Sequence, residues 1–355
     1  MFLICGEALY DMFLEAETPT GLRLDARMGG SPFNVAIGLA RLCKRVGLFT
    51  GVSTDTFGRH IEKILSKEGV ETQFLAKKRR PTTLAYVDLS RDGFDRYTFY
   101  GQATADRSVT VDDLPQIAED CACLHFGSYS CVVESTATSF HNLAKREAGK
   151  RLVSFDPNVR LTVESDIGLW RQRVEAFAEL ADIIKVSEED LGLLFPGASF
   201  ETVADRWRGD GAKLVVVTRG ELGAVTFLRN EVYEASGRPV PVVDTVGAGD
   251  SFVAALLCGL HELGKATRQG LDTLTIDDCR RLTDFSIQAA AITCSRRGAD
   301  LPRRGELRDV SLTQSRGHRS MAREILNRFR ERRESQRHSI QPHRLDAVSI
   351  TMGGN

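Results

Sequence analysis

Asp244-Thr245-Val246-Gly247-Ala248-Gly249-Asp250-Ser251-Phe252, the run DTVGAGDSF, sets two glycines, an alanine and an acid directly ahead of an apolar segment. That segment, SFVAALLCGLHELG, puts Phe252, Leu256 and Leu260 on one stripe with Val253 and Leu257 beside it, and stops at Gly264. The spacing predicts a buried helix. A helix N-terminus offers unpaired N–H groups and partial positive charge. Glycines there let backbone approach an anion with no Cβ in the way. Gly247, Ala248 and Gly249 therefore read as an anion cradle suited to phosphate. A carboxylate beside phosphate is repulsive, and a base that takes the proton from an attacking hydroxyl is one reason to place it there. The cradle and Asp250 together suggest phosphoryl transfer to an alcohol. The plain alternative is a glycine-rich turn with an aspartate cap, since the run is neither GxxxxGK[ST] nor GxGxxG.

Outward from this run, short apolar segments alternate with amphipathic ones. FLIC (2–5) and LFTGVS (48–53) read as buried strands, as do CLHFGSY (123–129), RLVSFD (151–156), DIIKVS (182–187) and KLVVVT (213–218). SPFNVAIGLARLCKRVG reads as a helix with Phe33, Ala36, Ile37 and Ala40 on one face, closed by Gly47. TDTFGRHIEKILSKEG reads as a second helix, capped by Thr54 or Asp55 and ended by Gly69. Apolar strands separated by helical lengths predict an α/β fold: a mostly parallel central sheet with helices on both faces. Two stretches, roughly 12–30 and 82–103, break the rhythm by alternating polar and apolar residues around turns. They predict a small antiparallel sheet over the main one.

The chain has 355 residues and a formal net charge of -1, which implies no nucleic-acid or membrane partner. Charge is uneven: residues 306–355 hold 10 Lys/Arg against 6 Asp/Glu. Met321, Ile325 and Phe329 there predict an amphipathic Arg-rich helix after a main domain of residues 1–305. Eight scattered cysteines without a CxxC pair read as reduced, buried thiols of a cytoplasmic protein. The N-terminus lacks the basic region of a signal peptide. No apolar run reaches the ~18 residues of a membrane span. The seven histidines show no metal spacing, and His125 reads as a satisfied core or strand-end side chain.

DTVGAGDSF resembles the C-terminal signature of the ribokinase-like (PfkB-type) carbohydrate kinases. GGSPFNVAIGLARL (29–42), GVSTDTFGRHI (51–61), FDPNVR (155–160), VVVTRGELGA (215–224) and TCSRRGADLP (293–302) resemble further family segments in the expected order, from Met1 to about residue 304. The resemblance implies a three-layer ribokinase-like fold with a small β lid. It implies transfer of the ATP γ-phosphate to a sugar hydroxyl, with Asp250 as base and Gly247, Ala248 and Gly249 as anion hole. GEALYD, GGSPFNVA and the 82–100 segment are similar to the fructokinase branch. The alternatives are 2-keto-3-deoxygluconate, ribose or a nucleoside as acceptor, or a sugar-binding regulator without catalysis.

Asp11 follows the first strand and can accept hydrogen bonds from two sugar hydroxyls, and the resemblance makes it the sugar-binding acid. Gly29, Gly30 and Asn34, at the turn from lid strand to helix, are implied sugar contacts. Arg160 suits a phosphate or substrate oxygen, or else a structural ion pair. KVSEED (185–190) departs from the family's Asn-x-x-Glu: Ser187 stands at the Asn position, and Asp190 at the Glu position, where it would order magnesium-bound water. Glu189 competes for that role. Thr218, Gly220 and Gly223 resemble the nucleotide-binding turn, and Gly298 and Ala299 the loop near adenine. Potassium is implied near the Asp244 and Val246 carbonyls. Of the aromatic strip Tyr97, Phe99 and Tyr100, lid packing is the first reading and sugar stacking the second. Exposed lid edges predict a homodimer through the lid.

Overall fold

The computed structural model describes residues 1–89 and 95–310. The Arg-rich helix expected around Met321, Ile325 and Phe329 lies outside the described residues.

Thirteen strands run through them: β1 (Phe2–Cys5), β2 (Leu9–Thr18), β3 (Gly21–Gly29), β4 (Val46–Ser53), β5 (Leu75–Lys78), β6 (Leu84–Leu89), β7 (Asp95–Tyr100), β8 (Cys123–Gly127), β9 (Leu152–Asp156), β10 (Ile183–Ser187), β11 (Leu214–Thr218), β12 (Ala224–Leu228) and β13 (Glu231–Ala235). Nine form a sheet in the order β13-β12-β11-β10-β9-β8-β1-β4-β5. All its pairs are parallel except β11–β12 and β12–β13. Side chains alternate across it: Phe2 and Ile4 enter one apolar cluster, Leu3 and Cys5 the other. The first cluster is completed by α1 (Ser31–Arg41), α2 (Thr56–Lys67), α7 (Ala248–Glu262), α8 (Arg268–Asp272) and α9 (Ile276–Cys294). The second takes α3 (Thr136–Glu147), α4 (Ile167–Ala178), α5 (Glu188–Leu194) and α6 (Phe200–Asp210). Burial on both faces is why these strands are continuous apolar runs, and each fully buried Phe or Leu contributes about 1.5–3 kcal/mol.

The remaining four strands make a second sheet, β3-β2-β6-β7. Its outer pairs are antiparallel, but the central pair β2–β6 is parallel, because the two hairpins lie side by side in the same direction. The Asp55 carboxylate accepts from Gly58 N at 2.7 Å, capping α2, and from Thr82 N and Oγ1 at 2.9 and 2.8 Å. One side chain thus ties this sheet to the main body. Tyr10 Oη meets His60 Nδ1 at 2.5 Å in the same region.

Several local expectations need correction. Gly47 does not close α1; the helix stops at Arg41 and Gly47 lies within β4, packed under the Phe74 ring. Helix α1 buries every residue from Ser31 to Leu39 rather than one stripe, and a Cβ on Gly38 would come within 2.6 Å of Leu301 and 2.8 Å of Ala254. Cys43 is exposed, just past the end of α1. Leu307 and Val310 are buried in the same cluster as α7 and α9, beyond the boundary expected at 305.

Candidate active site

Between the small sheet and the carboxyl ends of β1, β8 and β9 lies a cavity of about 370 Å³. Its wall includes Asp11, Asn34, Asn158, Arg160, Gly249 and Asp250. The volume suits a small molecule, and ligands of open α/β sheets bind at this edge.

Asp250 stands in the first turn of α7, whose N-cap is Gly247 at a left-handed φ of 79°. Both carboxylate oxygens are held from α1: Ser31 Oγ donates to Oδ1 at 2.6 Å and Asn34 Nδ2 to Oδ2 at 2.8 Å. Burial pushes the acid up, and the two hydrogen bonds pull it back toward the ionised form. A buried, oriented carboxylate with a raised pKa has the properties of a general base. The N–H groups of the first turn of α7 lie beside it, ahead of the helical hydrogen bonds. Asn34 thus serves Asp250 directly, a partner not foreseen for it.

Beneath the cradle lies a buried ion pair, Lys185 Nζ to Asp156 Oδ2 at 2.9 Å. A Cβ on Gly249 would sit 3.0 Å from that ammonium. Burial works against the Lys185 charge, but Asp156, with Asp190 and Asp250 behind it, outweighs burial and keeps the ammonium protonated. The other Asp156 oxygen, Oδ1, is buried without a hydrogen-bond partner among the described residues. Asp190 is nearby and pushed up, first by burial and then by Asp156; its Oδ1 accepts from Val159 N at 3.1 Å. Ser187 is the N-cap of α5, accepting from Asp190 N at 3.0 Å. An aspartate oxygen left unsatisfied beside a second buried acid suits a hydrated cation, so these residues fit magnesium.

On the opposite wall, Asp11 projects from β2 onto the cavity. Burial moves its carboxyl up to about 6, with the Arg160 guanidinium opposing the shift. Arg160 lines the cavity and makes no ion pair among the described residues. Gly29 packs directly on the Asp11 carboxylate. Gly30 has φ of 106°, and a Cβ there would lie 2.7 Å from Glu7 O, so only glycine fits the turn into α1. Phe99 lines the cavity and meets Tyr129 edge-on, whereas Tyr100 is exposed. The Tyr97 side chain lies outside the described residues.

The cavity wall thus gathers Asp11, Gly30, Asn34, Arg160, Val246, Gly247, Gly249 and Asp250. It does not include Ser187, Asp190, Thr218, Gly220, Gly223, Asp244, Ala248, Gly298 or Ala299. Several of these have local work. Gly223 packs against the Ala235 and Gly237 backbone in the β12–β13 hairpin. Asp244 accepts from Val246 N at 3.0 Å and from Gly298 N at 2.8 Å, joining two loops. Ala299 packs on Gly247. His125 is buried with Nδ1 3.1 Å from Ser154 Oγ, but Nε2 has no hydrogen-bond partner among the described residues, and burial lowers the imidazole to about 4.

Three site residues escaped sequence reasoning: Ser31, Lys185 and Glu7. A lysine in the strand IIKVS was the available signal for Lys185, because a charge mid-way through an apolar run needs a buried partner. Ser31 and Glu7 carry no such mark.

Comparison with known proteins agrees with this fold. Residues 3–304 match the pfkB family carbohydrate kinase. The chain is 37% identical over 305 residues to a fructokinase of Rhizobium leguminosarum bv. trifolii, covering 86% of this chain and 91% of the relative. The fold is similar to that of a Xylella fastidiosa fructokinase with bound ATP, at TM-score 0.74 and 26% identity over 86% and 96% of the two chains. It is also similar to a Vibrio cholerae O395 fructokinase double mutant in a fructose-, ADP- and potassium-bound form, at TM-score 0.72 and 28% identity over 84% and 94%. The chain, with an acid at the head of α7 facing a cavity, therefore belongs to the pfkB family of carbohydrate kinases.

Proposed function

We propose that this sugar kinase transfers the γ-phosphate of ATP to a hydroxyl of fructose, with Asp250 as the general base. The observation that carries the reading is the Ser31–Asp250–Asn34 triad at the helix start, facing Asp11 across one cavity. Asp11 accepts hydrogen bonds from sugar hydroxyls, and Gly30 contributes backbone to the cavity wall beside it. Asp250 removes the proton from the attacking hydroxyl. The first-turn N–H groups from Gly247 to Gly249 receive the charge that develops on the transferring group, with the Lys185 ammonium behind them. Magnesium, held through water by Asp156 and Asp190, neutralises phosphate charge when bound. The carbonyls of Asp244 and Val246 would hold a monovalent cation such as potassium, which would brace the 244–247 turn. The nucleotide lies along Thr218, Gly220, Gly223, Gly298 and Ala299, outside the cavity that takes the sugar.

Fructose is favoured by the relatives' activities. Arg160, facing the cavity without an ion pair among the described residues, favours a second acceptor class, a sugar acid such as 2-keto-3-deoxygluconate. Exposed Leu22 and Leu24 on β3 and Tyr100 on β7 support a homodimer through the lid sheet. Free cysteines suit a reducing cytoplasm.

The test is ADP release with MgATP across fructose, other hexoses, ribose, adenosine and 2-keto-3-deoxygluconate, with and without potassium. Turnover confined to fructose and raised by potassium is expected. Turnover confined to the sugar acid would overturn fructose but keep the kinase reading.

A further inference from the structure

Glu7 lies on the cavity wall and is 1% exposed. Ser130 Oγ donates to its Oε2 at 2.6 Å, and the Ser128 hydroxyl nearby favours its ionised form. Among the described residues no Lys or Arg pairs with it, whereas the buried acids Asp156 and Asp182 each have a cation. A buried carboxylate without a cation is a destabilising choice unless it has another use.

Ser128 supplies that use. It has φ of 61° and ψ of -163°, a region that is essentially glycine's. Its N–H donates to Asp156 O at 3.1 Å, and its side chain is tied to Glu7. Ser128 and the following Tyr129 both line the cavity. A strained backbone persists only where its surroundings over-determine it. Here two anchors hold it, and one of them is Glu7.

Resting on the reading of this cavity as the sugar site, we infer that Glu7 is a positioning residue, pinning Ser128 and Ser130 so that the Ser128–Tyr129 wall keeps the shape that binds the sugar. Its charge state sets the strength of the pin. A carboxylate accepts from Ser130 and is favoured by the Ser128 hydroxyl beside it, whereas the protonated acid gives up part of that capacity. Burial moves Glu7 up to about 7, with the Ser130 and Ser128 hydrogen bonds opposing the shift. The other titratable and charged groups around it are Asp106, which accepts from Tyr129 Oη at 2.8 Å, Tyr129 itself, the Cys131 thiol, and Arg107 over the Tyr129 ring. Because Glu7 is moved to about 7, the pin loosens as pH falls from 8 to 6.

The test compares Glu7→Gln with the wild-type protein in the full chain. At pH 8 the variant's KM for the sugar should rise about 10-fold, the loss of a hydrogen bond to a charged group, while kcat and the KM for ATP stay within about two-fold. The ratio of variant to wild-type KM should shrink toward unity at pH 6; taking the ratio cancels the Asp11 titration, which both proteins share. Ser130→Ala, which deletes the donor and leaves the Glu7 side chain in place, should raise the sugar KM in the same direction. Unchanged sugar KM in both variants at pH 8, with the wild type active on a sugar, overturns the pin and leaves the sugar site standing. A KM ratio that does not move with pH overturns the charge dependence. A wild type active on no sugar overturns both.

Discussion

Replacing Asp250 by Asn removes the proposed base and little else. Asn has the same shape, its Oδ1 can keep the Ser31 hydrogen bond of 2.6 Å, and the Asn34 amide can turn over so that its oxygen faces the new NH2 group. No charge is stranded by the change. Burial already disfavours the ionised form of Asp250, so the neutral amide relieves a desolvation penalty instead of adding one. The folded protein should therefore be at least as stable as the wild type at pH 8. Loss of a general base lowers kcat by roughly 10²–10⁴, which corresponds to about 2.7–5.5 kcal/mol of transition-state stabilisation. Asp11 on the far wall is untouched, so sugar affinity should hold. Steady-state ADP release with MgATP and fructose measures the first quantity, and titration calorimetry of the variant with fructose measures the second. Turnover within about three-fold of wild type would refute the base assignment. Loss of sugar binding together with turnover would refute the division of labour between Asp250 and Asp11.

Ser31→Ala deletes a donor that favours ionised Asp250, so its carboxyl should move further up and the acidic limb of the kcat profile should shift to higher pH; an unmoved limb counts against the triad. Glu7 titrates near 7 in the folded chain against 4.5 for the free side chain. The folded state thus binds this proton more tightly, so stability is lost as pH rises from 4.5 to 7 and is constant above, by up to about 3 kcal/mol. Urea unfolding at pH 5 and pH 8 should show that loss in the wild type and not in Glu7→Gln. Ending the chain after Val310 should keep turnover, whereas ending it after Gly305 removes buried Leu307 and Val310 and should lower stability by roughly 3–6 kcal/mol; equal melting temperatures would place the edge of the core earlier.

What could be read in the sequence was whatever neighbouring residues determine. FLIC and LVVVT are strands because both faces are buried, and an unbroken apolar run has no other economical fate in a chain of alternating elements. Asp55 was recognisable as a cap because a cap acts within one turn. The start of α7 stood out as a candidate anion site because its glycines and acid are adjacent. The parts that stayed hidden are contacts between distant residues. Ser31 and Asp250 are 219 positions apart, Lys185 and Asp156 are 29 apart, and Glu7 and Ser130 are 123 apart. Ser31 looked like an ordinary helix-start serine, and nothing local says that its hydroxyl leaves its own helix to hold a carboxylate on another. Glu7 is the sharper case. Strand ends in α/β sheets often carry acids in contact with water, so an acid there predicts exposure; only the packing of the Ser128 turn over it makes it buried and, by the argument above, worth its destabilisation. The same logic separates Gly247 from Gly223. Both have positive φ, at 79° and 98°, and both look alike as letters. One faces a cavity and the other fills the throat of a hairpin, so a glycine's conformation can be guessed from its neighbours, but its purpose depends on what the rest of the chain brings opposite it.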